Sequence, residues 1–302
     1  MNSVLLIDKP EGITSYTTIE EIKRLLKIKK IGHSGTLDKF ASGLLVTCTG
    51  WTTKLTKYFL NKDKRYIGTI KLGTITDTDD PEGTILEKNS TSNLNYEKIL
   101  DIRKKFIGVI HQVPPKYSAL KINCKRASDL TRKGIKFSLA ERKVHIKKLD
   151  IIKIDLKTSI IIIDVLCSKG TYIRSLARDI GKSLNTGAHL QCLRRISSGL
   201  FSVNDALTLE EIQQYSNGIE IKKNFCLHPE EALSDFGSIT IKQNIQKKIL
   251  NGSYFQKSDI LEIETQENMP FMILNEAKKL IAIADIDLTN WVIKYLNVFN
   301  KC

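Results

Sequence analysis

The sequence predicts an α+β fold: a mixed or antiparallel sheet flanked by helices, followed by a small, mainly β module. Three observations carry that expectation. Strand-like and helix-like segments follow one another without βαβ regularity, and no G-x-G-x-x-G joins a strand to a helix, which argues against a parallel nucleotide-binding sheet. The chain has 302 residues, whereas single cores stop growing at roughly 250–300, so two domains are expected. After about Asn224 the pattern changes to short strand-like runs, which divides the chain into 1–225 and 226–302.

The elements follow in order. Residues 4–7 are a short apolar strand, stopped by Asp8-Lys9-Pro10-Glu11-Gly12, where Pro and Gly turn the chain. Thr14 or Ser15 can cap a helix whose Ile19, Ile22, Leu25 and Leu26 share one face. Residues 31–50 read as a Gly-punctuated loop with small hydroxyl side chains. Residues 66–73 alternate as a strand, and residues 77–83, with Asp-Pro-Glu-Gly, close a hairpin. A helix over 94–106 leads to a loop over 111–117 that contains Pro114 and Pro115. Residues 144–156 and 159–166 are a pair of long strands. Residues 170–184 set Ile173, Leu176, Ile180 and Leu184 at helical spacing, and 207–215 form another helix. In the last module a helix over 244–250 precedes strands at 259–264, 271–275 and 279–285.

Charge narrows the class of partner. The chain carries 47 Lys+Arg against 33 Asp+Glu, a net +14. From Lys222 onward ten Lys meet ten acidic residues, so residues 1–221 hold 37 basic and 23 acidic side chains and the whole excess. Basicity confined to one part points to a polyanion bound there. No apolar run approaches the ~18 residues a membrane helix needs, and Asp8, Lys9 and Pro10 cut short the first apolar stretch before it can act as a secretory signal. The six cysteines (48, 124, 167, 192, 226 and 302) form no close pairs, so they read as reduced, mostly buried thiols of a cytoplasmic protein, with no structural zinc.

Several constellations can carry chemistry. Asp38 ends the Gly-rich loop in a basic neighbourhood; it is either a helix cap or surface ion pair, or an Arg-held carboxylate able to act as a nucleophile. Arg174, near the start of a helix in Ser168-Lys169-Gly170-Thr171-Tyr172-Ile173-Arg174, invites a carboxylate or phosphate partner. Lys64-Arg65-Tyr66 sets two cations beside an aromatic, which suits a phosphate and a stacked base. Val113 to Lys121 presents a Tyr between lysines. Asp77, Asp79, Asp80 and Glu82 lack the calcium-loop pattern and read as a solvated turn. His33 and His189 are possible bases with no nucleophile paired to them in the sequence.

Taken together, the segments resemble the tRNA pseudouridine-55 synthase (TruB) family from Val4 to about Ile212. The signatures occur in order: Asp8 to Ser15, Gly32-His33-Ser34-Gly35-Thr36-Leu37-Asp38, Ala41 to Leu44, Lys64-Arg65-Tyr66, Val113 to Lys121, Ser168 to Arg174, and Gly187 to Leu190 with Leu193-Arg194-Arg195. The resemblance implies a pseudouridine-synthase-like sheet with a PUA-like C-terminal module that touches RNA. It implies conversion of uridine-55 in the tRNA T-loop to pseudouridine, by flipping the base onto an essential aspartate, with no cofactor or metal. It gives Asp38 the role of nucleophile, Tyr66 that of the aromatic against the uracil, and Arg174 that of the carboxylate's partner. Tyr172 and Leu193 line the base pocket, and His33 contacts RNA around the displaced base. Lys9 is structural or RNA-contacting, and Lys64 and Arg65 bind RNA. The implied partner is tRNA alone, with no membrane and no obligatory protein, acting as a monomer. A guide-RNA-dependent synthase and a non-catalytic tRNA-binding or folding protein are the alternatives. Ser34 for Thr, Lys39-Phe40 for Pro plus a small residue, Thr47-Cys48 for a Pro-containing pair, and Cys124 and Ser128 for Gly and Tyr depart from the family pattern.

Overall fold

The structure is a computed structural model that describes every residue except 119, 123, 124, 136, 268 and 300–302. Its main sheet has the order Cys226–Leu227, Val4–Lys9, Ser42–Thr49, Ala188–Ser198, Lys64–Leu72, Ile160–Cys167, Arg142–Asp155, Gly108–Gln112. The only parallel pair among these neighbours is 42–49 with 188–198, so the sheet is mixed, as expected. Two halves, each antiparallel within itself, meet along that pair.

The helices fall where their sequence places them. Helix Ser15–Leu26 starts at Thr14, whose Oγ1 accepts from the Thr17 N–H at 3.0 Å, and it buries Ile19 and Ile22. Helix Tyr96–Ile102 is capped by Asn95 and is shorter than predicted. Helix Ile173–Ser183 packs its apolar face on the 188–198 strand and its sheet neighbours. Helix Leu209–Ser216 begins with a Thr208/Glu211 capping box.

Several strands went unseen in the sequence, two long ones of the main sheet among them. Part of the expected 31–50 loop is the strand Ser42–Thr49, buried at all eight positions. A strand covered on both faces shows no alternation, and its Gly and Thr content imitates a loop. The eleven-residue strand Ala188–Ser198, central to the sheet, hides its period behind two register shifts, at Leu190/Cys192 and Arg195/Ser197. Where the two halves meet, Gly43 has φ +102°, and a Cβ there would stand 2.3 Å from the Arg195 carbonyl. Gly43→Ala is expected to cost about 2 kcal/mol or more of stability, read by urea unfolding.

A second, five-stranded sheet runs Ile260–Glu264, Gly237–Ile241, Phe271–Leu274, Leu280–Asp287, Val292–Val298. One face closes its own core around Ile239, Phe255 and Ile273. The other face sends Met272, Leu274 and Ile283 into the core beneath the Val4–Lys9 strand. Tyr58 donates to Asn297 at 2.7 Å, and Lys62 pairs with Asp235, which adds polar ties to that contact. No helix among the described residues is long and apolar enough to cross a membrane. Of the described thiols Cys48 and Cys167 are buried, each pushed up to about 12 by burial, Cys226 is half-buried, and Cys192 is exposed, contrary to expectation. Cys124 and Cys302 lie outside the described residues.

Candidate active site

Asp38 lies at the lip of a cleft of about 630 Å³, opened where the two halves of the main sheet meet. Its loop is held from beneath by the first motif. Ser15 Oγ donates to the Leu37 carbonyl at 3.0 Å and accepts from the Leu37 N–H at 2.9 Å. Gly12 N–H donates to the Lys39 carbonyl at 2.9 Å. Lys9 is fully buried and donates to the carbonyls of Pro10 and Ile13 at 2.7 and 2.8 Å, which closes the turn. Burial pulls its ammonium down to about 8, against the attraction of Asp38. Of its two expected roles, the structural one fits this geometry.

Arg174 is the second residue of its helix, earlier than the sequence suggested, and grips Asp38 from the opposite wall. Its Nε stands 3.0 Å from Asp38 Oδ2, and its Nη2 donates to Asp38 Oδ1 at 3.2 Å. The same guanidinium donates from Nη1 to Asp80 Oδ2 at 3.0 Å and from Nη2 to the Tyr117 carbonyl at 2.9 Å. The side chains of Arg174 and Asp80 are each 6% exposed. One cation therefore serves two carboxylates.

The turn at 77–83 is thus not solvated throughout, as the sequence reading had it: Asp79 and Asp80 are buried. Asp79 pairs with Arg178 at 3.0 Å, and Asp80 also accepts from Thr78 Oγ1 and the Glu82 N–H. The hairpin itself is present, with strands Thr74–Thr76 and Ile85–Lys88. Nothing in the sequence links Asp80 to Arg174, because they are 94 residues apart.

Burial pushes the Asp38 carboxyl above the usual carboxylate range, Arg174 pulls it back, and Asp80 and Glu82 add to the upward push. If the ionised form is the working one, activity must fall as pH drops through that raised value, so the acid limb lies above the ~3.9 of a free Asp. Asp80→Asn removes one upward push and is expected to move that limb to lower pH, read as single-turnover rate against pH.

The remaining residues divide between those the cleft gathers and those it does not. Tyr66, Tyr172 and Leu193 line it, together with Lys64, Arg142, Lys143, Lys169 and Arg195. Tyr172 is fixed by Gln112, whose amide donates to the Tyr172 carbonyl at 3.1 Å and accepts from its N–H at 2.8 Å. Burial raises both phenols. Lys64 is buried and donates to the carbonyls of Phe59, Leu60 and Lys62, at 3.5, 2.7 and 2.6 Å. Arg65 follows strand alternation to the opposite face and pairs with Asp164 at 2.5 Å, so it does not reach the cleft. His33 stands behind the loop and accepts from the Gly35 N–H at 3.3 Å; burial and Arg195 lower its pKa. His189 is buried, with Nδ1 3.0 Å from the Thr74 carbonyl, and is not among the residues lining the cleft. Sequence reasoning missed Asp80, Gln112, Arg142, Lys143 and Arg195; of these, Arg195 alone lay in a quoted motif.

The chain resembles known proteins along most of its length. The TruB family pseudouridylate synthase N-terminal domain matches residues 23–173, and the tRNA pseudouridylate synthase B C-terminal domain matches 174–233. The chain is 41% identical over 252 residues to tRNA pseudouridine synthase B of Clostridium perfringens (strain 13), covering 83% of this chain and 84% of that one. It is 37% identical over 295 residues to the protein of the same name from Clostridioides difficile (strain 630), covering 96% of each. Among solved structures, an H/ACA RNP bound to a substrate RNA containing 2'-deoxyuridine aligns at TM-score 0.75 and 22% identity, over 99% of this chain and 85% of that chain. A Cbf5-Nop10-Gar1 complex aligns at 0.75 and 24%, over 98% and 84%. These two share the fold. The class of molecule is therefore a pseudouridine synthase. Within that class, the chain belongs to the TruB family of pseudouridylate synthases.

Proposed function

We propose that this chain isomerises the uridine at position 55 in the T-loop of tRNA to pseudouridine, acting alone in the cytoplasm as a monomer. The observation that carries the reading is Asp38, held by Arg174 at the lip of a cleft that also carries Tyr66, Tyr172 and Leu193. The reaction detaches uracil from ribose, turns it and rejoins it through C5, so its atoms balance without an added group. A base inside a folded loop has to be flipped out to reach Asp38, and the cleft is large enough to take a nucleotide. In this reading Asp38 is the nucleophile, Arg174 keeps it ionised, and Tyr66 and Tyr172 stack on the uracil while Leu193 closes the pocket. Arg142, Lys143 and Lys169 at the cleft suit phosphates. His33 contacts RNA around the displaced base. We assign residues 1–225 to catalysis and 226–302 to a PUA-like supporting RNA contact. Strand 226–227 reaches back from the second unit to the edge of the main sheet.

The curated relatives are named as tRNA enzymes, which supports tRNA as substrate. The test is to incubate purified protein with a bare tRNA transcript and map pseudouridine along it. Modification at position 55 without added protein or guide RNA is expected. Modification only with a guide RNA would favour the guide-dependent reading, and tight binding with no modification would favour a folding protein.

A further inference from the structure

The buried cation left unexplained is Arg195. It is 3% exposed and lines the cleft. Its Nε donates to the Leu44 carbonyl at 2.6 Å and its Nη2 to the Gly35 carbonyl at 3.1 Å. Among the described residues Arg65, Arg174, Arg178 and Arg194 each meet an aspartate, whereas Arg195 forms no ion pair. Burying an unpaired guanidinium is costly unless it acts on something nearby that is, or becomes, negative.

The strand register identifies that neighbour. Arg195 and Tyr66 are directly paired across 188–198 and 64–72, and both face the cleft. Side chains so paired stand about 5 Å apart at Cβ. We propose that Arg195 is a positioning residue for the reaction: anchored by its bonds to the Gly35 and Leu44 carbonyls, it holds the Tyr66 phenol in a positive field where that phenol can give up or share its proton. The proposal rests on the assignment of Tyr66 to the reaction made above.

The surroundings of Tyr66 fit. Burial, Cys167 on the 160–167 strand and Asp38 on the loop all push the phenol up, and Arg195 is the group that pulls it down. Lys64 on the same strand and Lys9 beneath the loop are both drawn down to about 8, and Arg195 contributes to each. Arg174 and Tyr172 face the same cleft from the helix side. In the step proposed, the C5–H bond breaks after the base has rejoined through C5. Its electron pair becomes the C5–C6 double bond as the C6–N1 double bond gives its pair to N1, which takes a proton from water, and the C5 proton passes to the phenolate oxygen of Tyr66, which later returns it to water.

The test labels tyrosine with ¹³C at Cζ, assigns the Tyr66 resonance with Tyr66→Phe, and follows its titration. Without Arg195 the phenolate loses the cation that favours it, so Tyr66 is expected to titrate at higher pH in Arg195→Met than in wild type, and close to wild type in Arg195→Lys. A Tyr66 titration unchanged in Arg195→Met overturns the proposal. Single-turnover tritium release from C5-labelled T-arm RNA supplies the second readout. Arg195→Met is expected to slow release about 30-fold or more, with Arg195→Lys recovering most of that loss. The double variant with Tyr66→Phe should fall no more than about threefold below the slower single variant. Losses that multiply would show a role independent of Tyr66 and overturn the proposal. Wild-type protein that releases no tritium would refute the enzymatic reading itself, whereas the titration reports on Arg195 separately.

Discussion

Asp38→Asn is expected to abolish tritium release from C5-labelled T-loop RNA, a loss of about 10⁴-fold or more, while tRNA binding stays within about tenfold of wild type. The two readouts separate because they rest on different groups. The amide has nearly the shape of the carboxylate and can still accept one hydrogen bond from Arg174, so the loop should keep its position. It cannot act as an anionic nucleophile. Affinity is expected to rest mainly on phosphate contacts, for which cations such as Arg142 and Lys143 stand at the cleft and which the substitution does not touch. Binding is measured by filter retention at fixed salt, because phosphate contacts weaken steeply with ionic strength.

Arg174 is expected to show the second large effect, and it should appear in stability as well as in rate. Arg174→Met removes the cation that holds two carboxylates. Asp80 is then left buried without a counter-charge, for which a loss of about 3–5 kcal/mol is expected in urea unfolding. That figure is assigned to the Asp80 side alone, since the Asp38 side chain is 39% exposed and solvent screens it. The rate is expected to fall about 10³-fold, because Asp38 loses both its orientation and the charge that favours its ionised form. Arg174→Lys keeps one positive charge but cannot span Asp38, Asp80 and the Tyr117 carbonyl together, so it should recover stability better than activity.

How much of this was legible in the sequence follows from where the signals live. Local signals read well: the Thr14 cap, the 77–83 hairpin and the apolar face of helix Ile173–Ser183 each depend on residues a few positions apart. The resemblance to the family singled out Asp38, Tyr66, Tyr172, Arg174 and Leu193, and the fold brings these five to one cleft or its lip. Strand Ser42–Thr49 escaped because a strand buried on both faces has no period to detect, and Ala188–Ser198 because its bulges break the period. Asp80 escaped because a carboxylate in an Asp-rich turn looks solvated until the chain brings Arg174 onto it from 94 residues away. The partners that Arg65 and Lys64 have within the protein escaped for a related reason. Cations in a basic segment read as phosphate ligands, yet one is paired on the far face of the sheet and the other caps main-chain carbonyls.

The +14 net charge also gains a location. The excess lies entirely within residues 1–221, the part that holds the cleft, with Arg142, Lys143 and Lys169 among the cations that line it. The second sheet instead contributes apolar side chains to the core below the Val4–Lys9 strand. Its contribution to the protein is thus visible in packing even though its charges cancel.

The central claim is that this chain, unaided, breaks the C5–H bond of a T-loop uridine. The most direct measurement is release of tritium from a tRNA T-arm carrying [5-³H]uridine at position 55, using purified protein in excess and no other macromolecule. One tritium released per RNA is expected, with pseudouridine recovered at that position. Bound RNA that keeps its tritium would contradict it.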